Sequence, residues 1–203
     1  MTDTVLEPRI ARTREVVFAA AIDIVAERGF AGATIDAIAR RAGVARSTIY
    51  RNWPNRIDLL LEATATEIGG IEAIPVGDLR RDLVTLVRHL ADVLASDRLG
   101  SIAAALIVES RRDAELDALR ERFLGHRRRA VGNVMRAAIE RGEVRADTDV
   151  LAAVDELSAA VFYRVMILRI AVDEAWAERL ADRWIESHGV DRTEKGDEDA
   201  LAT

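Results

Sequence analysis

The stretch Ala33–Arg56, ATIDAIARRAGVARSTIYRNWPNR, decides the fold. Thr34 is a natural N-cap, because its side-chain oxygen can accept from a backbone N–H of the first turn. Asp36 puts negative charge at the positive end of the same helix. Ile35, Ile38, Ala39 and Ala42 then fall at i, i+3, i+4 and i+7, which predicts one apolar helical face. Gly43 can adopt the left-handed backbone that ends a helix, and Val44 supplies the apolar contact after it. A second short helix over 46–52 must end near Trp53, because Pro54 restrains the residue before it. Helix, glycine turn and helix together make a helix-turn-helix, whose second helix can enter the DNA major groove.

Working upstream, the spacing predicts a first helix over 9–28. Val17, Ala21, Ile24 and Val25 form its stripe, Phe18 and Ile22 widen it, and Gly29-Phe30 form a stop. Met1–Pro8 reads as a flexible arm. Arg9, Arg12 and Arg14 are open between phosphate contact and a solvated helix end. Downstream, a connecting helix over 55–68 starts with Asn55 as its cap, carries Asp58 in its first turn, and presents Leu59, Leu60, Leu61 and Ala63 as a broad apolar surface. It fades into GGIEAIPVG, where Gly69, Gly70, Pro75 and Gly77 mark a linker.

The segment resembles the tetracycline-repressor (TetR) family of one-component regulators, whose pattern is close to IAxxAGVxxxTxYxxF. It stands here as Ile38-Ala39, Ala42-Gly43-Val44, Thr48, Tyr50 and Trp53, with Trp in place of the commoner Phe. The match extends upstream through Ala20-Ala21, Ile24-Val25 and Glu27-Arg28-Gly29-Phe30, and downstream through Asn55-Arg56 and Leu59-Leu60. About the first sixty residues carry it. The resemblance implies that Thr34, Thr48, Tyr50, Asn52 and Arg56 hold DNA phosphates. Ser47 lies in or near the groove, and Arg46 and Arg51 are the candidates for base contact, since arginine on guanine is the commonest specific readout. Two readings stand for Tyr50, phosphate contact through its hydroxyl or packing of its ring. There are two departures from the family. Ala45 stands where a Ser or Thr cap is usual, at a cost of about 1 kcal/mol of local order, and Asp36 stands where some members carry a base-contacting basic residue.

Beyond the linker every segment reads as helix. Leu79, Leu83, Leu86, Leu90 and Leu94 form a core stripe, and a helix follows over 98–110. A long one over 114–141 spans on the order of 40 Å, and two more run over 149–170 and 173–187. Residues 190–203, acidic and nearly free of large apolar side chains, read as a disordered tail. Leu157, Val161, Val165 and Leu168 on the eighth helix, with Trp176, Leu180 and Trp184 on the ninth, make apolar surfaces wide enough for two partners. The resemblance implies that the outer partner is the same helix pair of a second subunit. The run VFYRVMI with Asp173-Glu174-Ala175 also resembles one C-terminal subgroup of the family. The resemblance further implies an effector pocket. Its lining candidates are Leu90, Leu94, Leu106, Phe123, Met135, Phe162 and Met166, each also readable as plain core, and His89, His126, Asn133 and Glu109 are possible polar anchors.

Charge and composition bound the rest. The 203 residues carry a net charge of −6. Residues 1–56 hold nine arginines against six carboxylates, or +3, which leaves −9 on the remainder. A basic head on an acidic body directs DNA to the head. Lys195 is the only lysine. With no cysteine there is neither disulfide nor thiolate metal site. His89, His126 and His188 are scattered without ligand spacing, and no nucleophile–base pair or glycine-rich phosphate loop is legible. No catalytic residue, metal or cofactor is expected. No apolar run approaches the length of about 20 residues that crosses a bilayer. Nothing at the N-terminus reads as a secretion signal, so a cytoplasmic protein with no membrane partner is expected.

The expected architecture is all-α with about nine helices. A helix-turn-helix domain occupies 1–56, with 9–53 as its folded core, and an effector-binding and dimerisation domain occupies 57–189. The expected function is a homodimeric repressor, bound to double-stranded DNA at a near-palindrome and released by a small lipophilic effector. The alternative is a DNA-binding regulator or architectural protein that senses no ligand.

Overall fold

In this computed structural model, which describes residues 8–68 and 77–190, the described residues form nine α-helices. They are α1 (Pro8–Gly32), α2 (Ile35–Ala42), α3 (Arg46–Asn52), α4 (Arg56–Ile68), α5 (Leu79–Ala95), α6 (Asp97–Glu109), α7 (Ala114–Glu140), α8 (Val150–Phe162) and α9 (Glu174–His188). Among the described residues the only β pairing is an isolated antiparallel bridge between Val144 and Gly189. The all-α expectation holds. The first seven residues, most of the linker and residues 191–203 lie outside the described part. Val190, assigned to the tail from sequence, donates to the Glu143 carbonyl at 3.2 Å.

The chain packs into two compact units, Met1–Gly70 with Ser96–Gly125, and Ile71–Ala95 with His126–Thr203. The first unit holds α1–α4, α6 and the opening of α7. Its core is Val17, Ile22, Ile24, Phe30, Ile38, Ile49, Leu59, Leu60, Leu116 and Leu119, all essentially closed to water. Each large aliphatic or aromatic side chain buried in this way contributes about 1.5–3 kcal/mol. α1 breaks where the sequence placed its stop, since Gly29 sits at φ 68° and ψ −179°. The positive φ there disfavours any other residue, and an added Cβ would meet Glu109 Oε1 at 2.6 Å and push that carboxylate aside. The Trp that replaces Phe in the family pattern is also explained. Trp53 packs against Phe18 with ring centroids 5.4 Å apart, while its indole Nε1–H donates to Glu62 at 2.6 Å. Arg14 closes the group, ion-paired with Glu62 and lying over both rings.

The second unit holds α5, the rest of α7, α8 and α9. Leu79, Leu83, Leu86 and Leu94 of the predicted stripe are buried, with Val87, Val93, Val134, Met135, Val154 and Leu157. Leu90 is half-buried. One expectation fails here. The eighth helix does not run unbroken over 149–170, because α8 ends at Phe162, a π turn covers Tyr163–Ile167, and Arg169 takes φ 54°. Arg164 accounts for the exit. Its side chain donates to the Ala171 carbonyl at 3.0 Å and lies 4.8 Å over the Trp176 ring, while its own carbonyl accepts from Ile170 N at 3.0 Å. Asp173, expected inside the ninth helix, is its N-cap and accepts from Trp176 N at 2.7 Å.

Candidate nucleic-acid interface

Short-range bonds set the helix-turn-helix. Thr34 Oγ1 accepts from Ala37 N at 3.2 Å and starts α2. Gly43 ends it at φ 67°, and Val44 N donates to the Ala39 carbonyl at 3.1 Å, which closes the turn. α3 then begins at Ala45 with no side-chain cap and no acidic residue in its first turn. What holds α3 is burial, since Ile49 is fully enclosed and Trp53 nearly so. With Ile49 and Trp53 turned inward, Arg46, Ser47, Tyr50 and Arg51 are exposed, Tyr50 to 55%. The packing alternative for Tyr50 is therefore disfavoured. Thr48 and Asn52 are half-buried, and Asn52 donates to the Thr48 carbonyl at 2.7 Å.

The basic side chains divide by partner. Arg41 makes a bidentate pair with Glu27, both bonds 2.7 Å. Those bonds lower the Glu27 carboxyl below, and raise the Arg41 guanidinium above, their ordinary values. Arg46 is paired with Asp36. Arg56 lies half-buried and donates to the Phe30 carbonyl at 3.0 Å and to Glu115 at 2.5 Å. Arg56, expected to hold a phosphate, has its guanidinium engaged here in holding α4 against α1 and α7. Arg40 and Arg51 are exposed and, among the described residues, pair with no carboxylate. Arg40 was not singled out from sequence. Its signal was available in the α2 spacing, which points Arg40 away from the Ile35–Ile38–Ala39 face. Arg12 is exposed as well, Arg14 is taken up by Glu62, and the Arg9 side chain is outside the described set.

The residues proposed for sensing and pairing scatter more. Leu106 is buried in the first unit's core and Phe123 packs against that core. Leu90, Leu94, Met135, Phe162 and Met166 belong to the second unit, with Met135 fully enclosed. The seven thus do not share one compact unit. Of the polar candidates, His89 is half-buried with no hydrogen-bond partner for its Nε2. Burial, followed by the Arg127 guanidinium, holds its imidazole below the ordinary value against a pull from Asp92. His126 and Asn133 are exposed. Leu157, Val161, Leu180 and Trp184, expected at an outer interface, are buried within their own unit. Val165 and Trp176 are half-buried and Leu168 is exposed. Four of the large apolar side chains that face water, Tyr163, Ile167, Leu168 and Ile170, cluster on the π turn and its exit, with Ile167 60% exposed; others, such as Val108 and Leu151, stand elsewhere.

Residues 17–63 match the family description "Bacterial regulatory proteins, tetR family", and residues 74–184 match "Tetracyclin repressor-like, C-terminal domain". YdeS of Bacillus subtilis (strain 168), an HTH-type transcriptional regulator, is 30% identical over 175 residues, covering 85% of this chain and 88% of its own. The chain belongs to the TetR family. Among solved structures, the TetR family regulator SCO0332 is 28% identical with a TM-score of 0.67, covering 86% of this chain and 97% of that one. FadR of Bacillus subtilis, solved in complex with stearoyl-CoA, shares the fold at 21% identity and a TM-score of 0.62, over 84% of this chain and 97% of its own.

As a TetR family member the protein is a DNA-binding transcriptional regulator and not an enzyme. Among the described residues no group of three or more His, Asp or Glu gathers to hold a metal ion, and no helix is long and apolar enough to cross a membrane.

Proposed function

We propose that this TetR family protein is a cytoplasmic homodimeric repressor that leaves a near-palindromic operator when a small lipophilic effector binds. The observation that carries the reading is the outer face of α3, where Arg46, Ser47, Tyr50 and Arg51 stand free of the core that Ile49 and Trp53 enter. In this reading residues 1–56 bind DNA. Arg46 and Arg51 contact bases, and Thr34, Arg40, Ser47, Thr48 and Tyr50 face the backbone, which fixes register without carrying sequence information. Two heads on a two-fold axis place half-sites about one helical turn, 34–36 Å, apart.

Residues 57–189 sense and pair. The exposed side chains Tyr163, Ile167, Leu168 and Ile170, with Val165 and Trp176 behind them, support pairing with a second copy. Leu90, Leu94, Phe162 and Met166 support a lipophilic effector, as does stearoyl-CoA bound to FadR on the same fold. An effector that prefers the form unable to hold DNA shifts the population toward it.

The test is a gel shift of the full chain against the DNA flanking its own gene, with and without stearoyl-CoA or the free fatty acid, alongside light scattering for mass. A discrete band, a dimer mass and release by an acyl ligand are the expected results. A monomer, or equal retention of all duplexes, overturns the reading. Tight specific binding that no compound in a thermal-shift screen alters favours the regulator that senses no ligand.

A further inference from the structure

Of the four exposed arginines of the helix-turn-helix, Arg41 is taken up by Glu27, and the other three are not equivalent. Arg40 and Arg51 reach into solvent with no carboxylate beside them, whereas Arg46 Nη2 is bonded to Asp36 Oδ2 across the turn. Asp36 has no obligation to the core. It is exposed on the first turn of α2, and Thr34 already provides that helix with its cap. Arg46, by contrast, has a reason to need it. It is the first residue of a helix whose N-terminus has neither side-chain cap nor acidic residue, where the helix dipole repels a cation.

We infer that Asp36 is a positioning residue for base readout, holding the Arg46 guanidinium in one orientation so that it engages guanine and rejects other bases. The inference rests on the DNA-reading role proposed above. A free arginine on this face pays rotamer entropy when it is ordered on DNA, and one already held by a carboxylate pays less. The bond uses one N–H of Nη2, so four of the five guanidinium donors of an arginine stay available for a bidentate contact to guanine O6 and N7. Asp36 also contributes a penalty. A carboxylate beside the groove floor is repelled by phosphates and by base acceptors, so a site that does not hold Arg46 at guanine leaves the carboxylate facing charge of its own sign. Discrimination by repulsion of wrong partners is as effective as attraction to the right one. Arg40 and Arg51, lacking such a partner, can adapt to whichever acceptor lies closest.

The test starts with selection of a binding duplex from a random library by the full-length protein. Affinity for the selected duplex and for a scrambled one is then measured over a salt series by fluorescence anisotropy. The variants are Asp36→Asn, Arg46→Ala and the double variant, with thermal midpoints recorded to confirm folding. Asp36→Asn is expected to bind scrambled DNA more tightly and to steepen the salt slope by about one unit, as Arg46 is freed for a phosphate. It is also expected to lose about tenfold or more of the ratio between the two duplexes, concentrated at one base pair per half-site. In the Arg46→Ala background, Asp36→Asn is expected to leave that ratio unchanged. An Asp36→Asn protein that tightens on both duplexes by the same factor, with its base preferences intact, overturns the inference and leaves the DNA-reading role standing. Selection that yields no preferred duplex with the unaltered protein overturns both.

Discussion

The segment Thr34–Asn55 and the segment Phe162–Asp173 are both bends between helices, and they are held in opposite ways. In the first, every terminus but the uncapped start of α3 is fixed by a residue within four positions. Thr34 caps α2 through Ala37, Gly43 turns back to Ala39, and Asn55 Oδ1 accepts from Asp58 N at 2.9 Å to start α4. In the second, α8 loosens into a π turn and leaves through a positive-φ arginine, with no glycine or proline between Phe162 and Asp173. The exit is held by Arg164 reaching seven residues ahead to Ala171 and twelve ahead to the Trp176 ring. Local bonds set the ends of α2 and α4 in the first bend, with burial of Ile49 and Trp53 holding α3, whereas the second bend leans on contacts seven and twelve residues ahead.

The contrast can be broken or sharpened by substitution. Ile49→Ala should have the largest effect, about 2–4 kcal/mol, because the seven-residue α3 has no cap and depends on that side chain. Urea denaturation reads the loss, and DNA affinity should fall with it. Arg56→Ala should cost about 1–3 kcal/mol through the Phe30 carbonyl and Glu115 left behind. It should also leave the salt slope of DNA binding unchanged, and a slope lowered by about one would return Arg56 to phosphate contact. Arg164→Ala should cost about 1 kcal/mol and, more tellingly, raise amide exchange across 163–171 while α2 and α3 keep their protection. Equal loosening in both regions would contradict the difference drawn between them. Ala45→Ser should gain about 0.5–1 kcal/mol, seen as a higher thermal midpoint, because it adds the one local bond that the first bend lacks.

The smallest effect belongs to pH. The His89 imidazole is held below its ordinary value of 6.5, so below that pH the unfolded chain binds more protons than the folded one. Stability is therefore complete above about 6.5 and declines as pH falls. His89→Gln should flatten that decline in denaturation midpoints taken at neutral and mildly acidic pH.

These differences explain which parts were legible in the sequence. The α2 cap, the Gly43 turn, the Gly29 break and the end at Trp53 are each determined by neighbours in the chain, and they could be read from spacing alone. The exposure of Arg46 and Arg51 could be read for the same reason, since burial of Ile49 and Trp53 fixes which way α3 turns. Arg56 could not be read so, because its partners stand 26 and 59 residues away at Phe30 and Glu115. Apolar spacing on α8 and α9 identified surfaces that need cover but not what covers them. Leu157, Val161, Leu180 and Trp184 turned out to face their own unit, while the exposed patch formed where α8 departs from α-helical geometry. That departure has no residue-type signature in the sequence.

The π turn over Tyr163–Ile167 also bears on how the chain tolerates changes of length. A single π turn accommodates one residue more than the α-helical path needs. Deleting one residue between Tyr163 and Ile167 would therefore let α8 continue with regular bonding. Because the turn absorbs that extra residue, side chains beyond such a deletion would keep close to their present directions, and relatives that differ by one residue at this point can share the fold.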